Sequence, residues 1–155
     1  MTSIRILVAD DHSMVRRGVR ALLESQAGWT ICGEAATGAE AILKAKQLKP
    51  DIIVMDMSMP ELNGREATRQ IHVVMPETPV LILSMHESDQ HVREMLDAGA
   101  RGNVLKSDLD RNLSVAIQTL RQDKTFFSAK VSEIVVDGFI KGAAKRRQQA
   151  QPAPQ

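Results

Sequence analysis

Residues 50–64 read PDIIVMDMSMPELNG. After its first residue the segment Asp51–Met55 is wholly apolar, and it runs into one isolated acid, Asp56. Pro60 and Gly64 then mark a turn. A continuous apolar run of this length suits a strand covered on both faces better than one with a solvated face. Four other short runs predict strands: Ile4–Ala9, Thr30–Ala35, Pro79–Ser84 and Gly102–Leu105.

Helical spacing fills the gaps. Val15, Gly18, Val19, Leu22 and Leu23 fall on one face of a first helix. Ala67, Ile71 and Val74 do so in a third, which Met75-Pro76 ends. Leu109, Leu113, Ala116, Ile117 and Leu120 stripe a fifth, with Ser107 and Asp110 resembling a capping box at its start. The second and fourth helices are placed near 37–48 and 87–98, with Gly38 and Gly99 at turns. Strand and helix thus alternate five times, which predicts an α/β fold: a parallel sheet with helices on both faces and right-handed crossovers. Beyond residue 121 the pattern changes. Residues 122–147 read as linker and an additional helix, Ser128–Lys145, and residues 148–155 as a disordered tail.

Bulk composition agrees with a globular chain. Of 155 residues, 43% are hydrophobic and only 3% aromatic, with no Tyr, so Val, Ile, Leu, Met and Ala must build the core. Net charge is +1, unevenly spread: Lys141, Lys145, Arg146 and Arg147 put +4 in residues 141–155, leaving −3 on residues 1–140. That short basic tail reads as solubilising. The single cysteine, Cys32, excludes an internal disulfide and reads as a core thiol. No signal peptide and no apolar run long enough for a bilayer is seen, so a cytoplasmic location with no membrane partner is expected.

Ligands in such sheets sit beyond the carboxyl ends of the strands. The strand ends here carry Asp10-Asp11, Asp56, Ser84 and Lys106. Taken singly, each has an ordinary use, as a helix cap, a turn residue or a solvated cation. Brought to one edge, they make chemistry. Carboxylates about 5 Å apart repel by roughly 3 kcal/mol per pair at an effective dielectric of about 20, so the cluster must take up a proton or a cation. Oxygen donors with no His or Cys expected nearby favour Mg²⁺ over zinc. A carboxylate, a metal, an ammonium and a hydroxyl then form a phosphoryl-transfer site, with Asp56 attacking and Lys106 neutralising charge.

Four segments, ILVADDHSMVRRGVRALL, PDIIVMDMSMPELNG, PVLILSMHE and GARGNVLKSD, resemble the receiver domain of two-component response regulators over residues 4–121. The ADDHSMVRRG and LSMHE segments are similar to receivers of the NarL/FixJ kind, which precede a LuxR-type helix-turn-helix. The resemblance implies a flavodoxin-like five-stranded sheet of order 2-1-3-4-5. It implies that Asp56 accepts a phosphoryl group from a sensor histidine kinase, with Ser84 and Lys106 holding its oxygens. Asp11, Asp56 and the Ser58 carbonyl would bind Mg²⁺ directly, and Asp10 through water. It further implies a phosphoprotein, not an enzyme, that controls dimerisation through its helix 4–strand 5–helix 5 face, where Arg93, Asp97, Arg111 and Gln118 are candidates. Transcriptional output is expected from a DNA-binding domain, for which the residues beyond 121 are too few.

Three positions depart from the family pattern. Asn103 stands where an aromatic is usual, so Ser84 movement with the loop 85–90 is expected to carry the signal alone. Ser107 replaces the usual Pro after the lysine, and Met85 is large where many receivers are small, which would restrict water. Rival readings have their own signatures. A haloacid-dehalogenase phosphatase needs Asp-x-Asp after the first strand, and a flavin binder needs a Ser/Thr/Gly-rich loop there, whereas Asp10 and Asp11 are adjacent and acidic. A degenerate receiver acting as a phosphorylation-independent binding module is the alternative that Asn103 leaves open.

Overall fold

The computed structural model describes residues 3–86, 88–127 and 133. Five strands, β1 (Ile4–Ala9), β2 (Trp29–Ala35), β3 (Ile52–Asp56), β4 (Val80–Ser84) and β5 (Gly102–Leu105), pair in parallel in the order β2-β1-β3-β4-β5. Helices α1 (Ser13–Glu24), α2 (Gly38–Leu48), α3 (Gly64–Val74) and α4 (Asp89–Asp97) connect them, and α5 (Leu109–Arg121) follows β5. The expected fold is the observed one. The helix expected over Ser128–Lys145 and the tail 148–155 lie outside the described residues, apart from the helical Glu133.

The alternation of side chains along a strand explains why β3 is apolar throughout. Ile52 and Val54 enter one core with Val19 and Leu23 of α1 and Leu113 and Ile117 of α5. Ile53 and Met55 enter the other with Ala41 of α2, Ile71 of α3 and Met95 of α4. Both faces are dry, so no position on β3 tolerates a polar residue until Asp56 at its end. Strand order reverses at β1, which places the crevice over the ends of β1 and β3.

Some local expectations are corrected. Gly18 is exposed with open space around its α-carbon, and Val74, in the last turn of α3, is 54% exposed, so neither belongs to the buried stripe. The capping box at Ser107 and Asp110 is absent. A 3₁₀ turn, Lys106–Asp108, feeds α5 directly, and no side chain caps either element. Side-chain caps occur instead at Thr37, Asn63 and Ser88, which accept from the N–H groups of Glu40, Glu66 and His91. After α5 the chain does not leave the sheet at once: Phe126 forms a parallel bridge with Gly102 on the β5 edge.

The loop from Asp56 to α3 is tightly constrained. Glu61 and Leu62 both have positive φ, 51° and 92°, a costly state for residues with a β-carbon. Gly64 closes the loop, its N–H donating to the Met57 carbonyl at 3.1 Å. A β-carbon at Gly64 would lie 1.8 Å from the Asp56 carbonyl oxygen. Gly64→Ala must therefore push α3 away from β3. A loss of about 3 kcal/mol is expected in urea denaturation, the upper range for overpacking; a variant as stable as wild type would show that this contact relaxes freely.

Candidate functional site

Four strand ends converge. Asp10 follows β1, Asp56 ends β3, Ser84 ends β4 and Lys106 follows β5. Lys106 Nζ lies 3.1 Å from Asp10 Oδ2 and 3.1 Å from Asp56 Oδ1. Its side chain is 12% exposed, so this ammonium holds two buried carboxylates with little solvent screening. Asp11 stands at the rim. Ligand atoms of Asp10, Asp11, His12 and Asp56 all lie within 4.8 Å of one another. All the residues expected to meet at the strand ends do so. Ser58 lines the same cleft, and its N–H points to Asp56 Oδ1 at 3.4 Å.

Two features were missed by sequence reasoning. Histidine is present at the site: His12 Nδ1 is 3.1 Å from both Asp10 Oδ1 and Asp11 Oδ1, and the His12 backbone N–H donates to Asp10 Oδ1 at 2.8 Å. The expectation of a donor set without nitrogen is therefore corrected. The cause is local, because the chain folds back on Asp10 as it enters α1; the DDH spacing was the available signal. The second is Ser84. Its hydroxyl donates to Asn103 Oδ1 at 2.8 Å, with both residues buried. An amide at position 103 is thus a hydrogen-bond acceptor for Ser84 and fills a polar role.

The electrostatics favour a cation. Burial raises the Asp56 carboxyl above its ordinary range, and the neighbouring Asp10 charge raises it further, against the pull of Lys106. Burial depresses the Lys106 ammonium, but its bonds to Asp56 and Asp10 outweigh this and hold its pKa above the ordinary value. Asp56 Oδ2 is buried and has no hydrogen-bond partner among the described residues. A buried carboxylate oxygen left so is expensive unless an electrophile or a metal ion takes it up. The oxygen-rich donor set and this orphaned atom fit a small hard divalent ion.

The raised Asp56 pKa has a sign. A carboxyl raised on folding binds more protons in the folded chain, so stability falls as pH climbs through the raised range. In metal-free buffer the thermal midpoint should therefore be higher at the acid end of that raised range than above it. In Asp56→Asn this difference should shrink. An equal pH response in the two proteins would show that Asp56 is not the responsible group.

The cleft is small, about 120 Å³, and is lined by Asp56, Ser58, Ser84, Met85 and Lys106 among others. Met85 stands at its mouth, 69% exposed. A larger cavity of about 610 Å³ opens at the opposite end of the strands between Lys49 and Pro76, away from this chemistry. On the α4–β5–α5 face, Arg93, Asp97, Arg111 and Gln118 are all exposed. Cys32 is half-buried, and burial raises its thiol pKa, which makes it a poor nucleophile. No helix among the described residues is long and apolar enough to cross a membrane.

Comparison with known proteins places this geometry. A family profile described as response regulator receiver domain matches residues 6–118. The chain is 36% identical over 138 residues to the oxygen regulatory protein NreC of Staphylococcus epidermidis, covering 88% of this chain and 63% of that protein. It is 38% identical over 129 residues to the response regulator VraR of Staphylococcus aureus, covering 83% and 62%. It therefore spans less than two thirds of the length of these relatives. Among solved structures, a LuxR-family two-component response regulator from Aurantimonas superposes with a TM-score of 0.81 at 32% identity, over 90% of this chain and 99% of that one. The isolated receiver of RcsB from Salmonella enterica, studied with phosphomimetic BeF3−, gives 0.77 at 26% identity, over 86% and 99%.

Proposed function

Because this chain belongs to the response regulator receiver domain family, we propose that it is a switch thrown by Mg²⁺-dependent transfer of a phosphoryl group from a sensor histidine kinase onto Asp56. The observation that carries this is the orphaned Asp56 Oδ2, buried beside an ammonium and two further acids. Asp10, Asp11, Asp56 and Ser58 are the residues that would hold the metal. When bound, Mg²⁺ supplies positive charge to phosphoryl oxygens that repel the acidic cleft.

The remaining chemistry is the protein's own. An Asp56 carboxylate oxygen forms a P–O bond as the P–N bond of the donor phosphohistidine breaks, the electron pair leaving with the imidazole. Lys106, already 3.1 Å from Asp56, neutralises the charge that builds on the phosphoryl oxygens. Ser84 donates to one of those oxygens in the product, which requires it to release Asn103. Met85 at the mouth limits the approach of water and lengthens the life of the acyl phosphate. The added charge, about −1.5 to −2 in all on the group, then biases α4, β5 and α5 between two arrangements. We assign dimerisation to that face. Output is assigned to transcription through a LuxR-type DNA-binding domain, not through the residues of this chain, and the location to the cytoplasm.

Incubation with acetyl phosphate tests the reading. Intact mass should rise by one phosphoryl group in Mg²⁺, stay unchanged in chelator, and return to its starting value after alkaline hydrolysis of the acyl phosphate. Turnover of a phosphomonoester with no stable adduct would instead indicate a phosphatase.

A further inference from the structure

The cleft is joined by hydrogen bonds to the chain that follows α5. Ser84 Oγ donates to Asn103 Oδ1 at 2.8 Å. The Asn103 N–H donates to the Phe126 carbonyl at 2.9 Å, and the Phe126 N–H donates to the Arg101 carbonyl at 3.1 Å. Asn103 therefore touches the phosphoacceptor cleft through its side chain and residue 126 through its backbone.

Residues 124–127 behave as a strap on the β5 edge. A turn at Asp123, φ 60°, redirects the chain after α5, and the Lys124 N–H bonds back to the Thr119 carbonyl at 3.3 Å. Phe126 packs against the core that holds Leu81, Leu83 and Leu120, while Phe127 packs against the core on the other side of the sheet. The two rings thus straddle the edge. Gly102 makes room for the strap, since a β-carbon there would lie 3.1 Å from the Phe126 carbonyl oxygen. An edge strand with free N–H and C=O groups is a template for pairing, and the strap occupies part of it. Two backbone bonds at residue 126 tie it to the β5 segment, and Asn103 makes one of them, so a change at Asn103 acts directly on that tie.

We propose that Asn103 is a positioning residue that holds the Ser84 hydroxyl in the resting state and, when Asp56 is loaded, loosens the 124–127 strap from the β5 edge. The inference rests on the phosphoacceptor reading above. When Ser84 turns to a phosphoryl oxygen, Asn103 Oδ1 loses that donor. A buried amide oxygen does not give up a donor without cost, so the side chain turns to recover it. The same residue's N–H carries the bridge to Phe126, and turning the side chain strains that bridge. Loading the cleft is thereby converted into motion of the segment that leads out of the domain. An aromatic at position 103 has no acceptor for Ser84, so the device depends on the amide.

Amide hydrogen exchange of the full chain tests it, with beryllofluoride and Mg²⁺ as the probe and ¹⁹F resonances of the bound probe reporting loading independently. In wild type, exchange at Asn103 and Phe126 should accelerate about tenfold on loading, a change of about 1.4 kcal/mol in opening free energy, while amides of β1 and β3 stay slow. Asn103→Leu keeps the volume and removes the acceptor. It should load, by ¹⁹F, without changing exchange at Phe126. A wild type that loads with no acceleration at Phe126 overturns the strap and leaves the phosphoacceptor reading intact. Acceleration that persists in Asn103→Leu overturns the role of the amide. A wild type that does not load at all fails at the earlier step, and the proposal falls with it. The wild-type comparison stands by itself if the variant does not fold.

Discussion

Asp56→Asn should take up no phosphoryl group from acetyl phosphate and Mg²⁺, and it should be more stable than wild type when metal is removed. Loss of uptake follows from chemistry: the amide oxygen is a far weaker nucleophile, and an acyl phosphate cannot form on it. The gain in stability follows from the site. Asp56 is 3% exposed, its Oδ2 has no partner, and the Asp10 charge opposes its ionisation. Replacing the charge by a neutral isostere removes that conflict. Lys106 is not stranded, because Asp10 Oδ2 remains 3.1 Å away. A gain of about 1 kcal/mol is expected, the scale at which functional sites cost stability. Intact mass reads the first effect and urea denaturation in chelator the second. Phosphoryl uptake at wild-type level would mean that another residue is the acceptor.

Lys106→Met should do the reverse to stability and damage the chemistry as well. The ammonium is the common partner of two buried carboxylates, 3.1 Å from each. Removing it leaves two negative charges in a cleft with little water, and breaking a buried ion pair on one side costs about 3 kcal/mol. The variant should still fold, because native domains have about 5–15 kcal/mol in hand. Mg²⁺ should restore much of the loss, since a divalent ion can take over neutralisation of Asp10 and Asp56. In the proposed phosphoryl transfer the Lys106 charge would face oxygens that gain charge in the transition state. Its loss should slow uptake from acetyl phosphate about 10²–10³-fold, as for other fixed electrostatic donors. Urea curves with and without Mg²⁺, beside single-turnover mass spectrometry, measure both. A variant as stable as wild type in chelator would show that Lys106 does not offset the carboxylates.

The sequence was most informative where burial on both faces imposed a simple pattern. β3 reads as an unbroken apolar run because Ile52 and Val54 enter one core and Ile53 and Met55 the other. Asp56 stands out at its end for the same reason, since a charge is admissible only where the strand leaves the cores. Asp10, Ser84 and Lys106 were legible by the same logic at the ends of their strands. Periodicity failed where an element overhangs the sheet, as at Val74, and where a helix starts from a 3₁₀ turn and needs no cap, as at Lys106–Asp108.

By itself, the sequence determined the alternation of five strands and five helices and the group of acids, hydroxyl and ammonium that meets at the strand ends. Apolar runs and isolated polar residues are local signals, and a parallel sheet brings strand ends together whatever the side chains do. Only the tertiary structure decided that His12 folds onto Asp10 and Asp11, that Ser84 is held by Asn103, and that Phe126 is strapped to the β5 edge. The last two are local contacts between residues far apart in the chain, with no period to betray them. They arise from which atoms face each other once the strands are in register, and an orphaned Asp56 oxygen becomes visible only then.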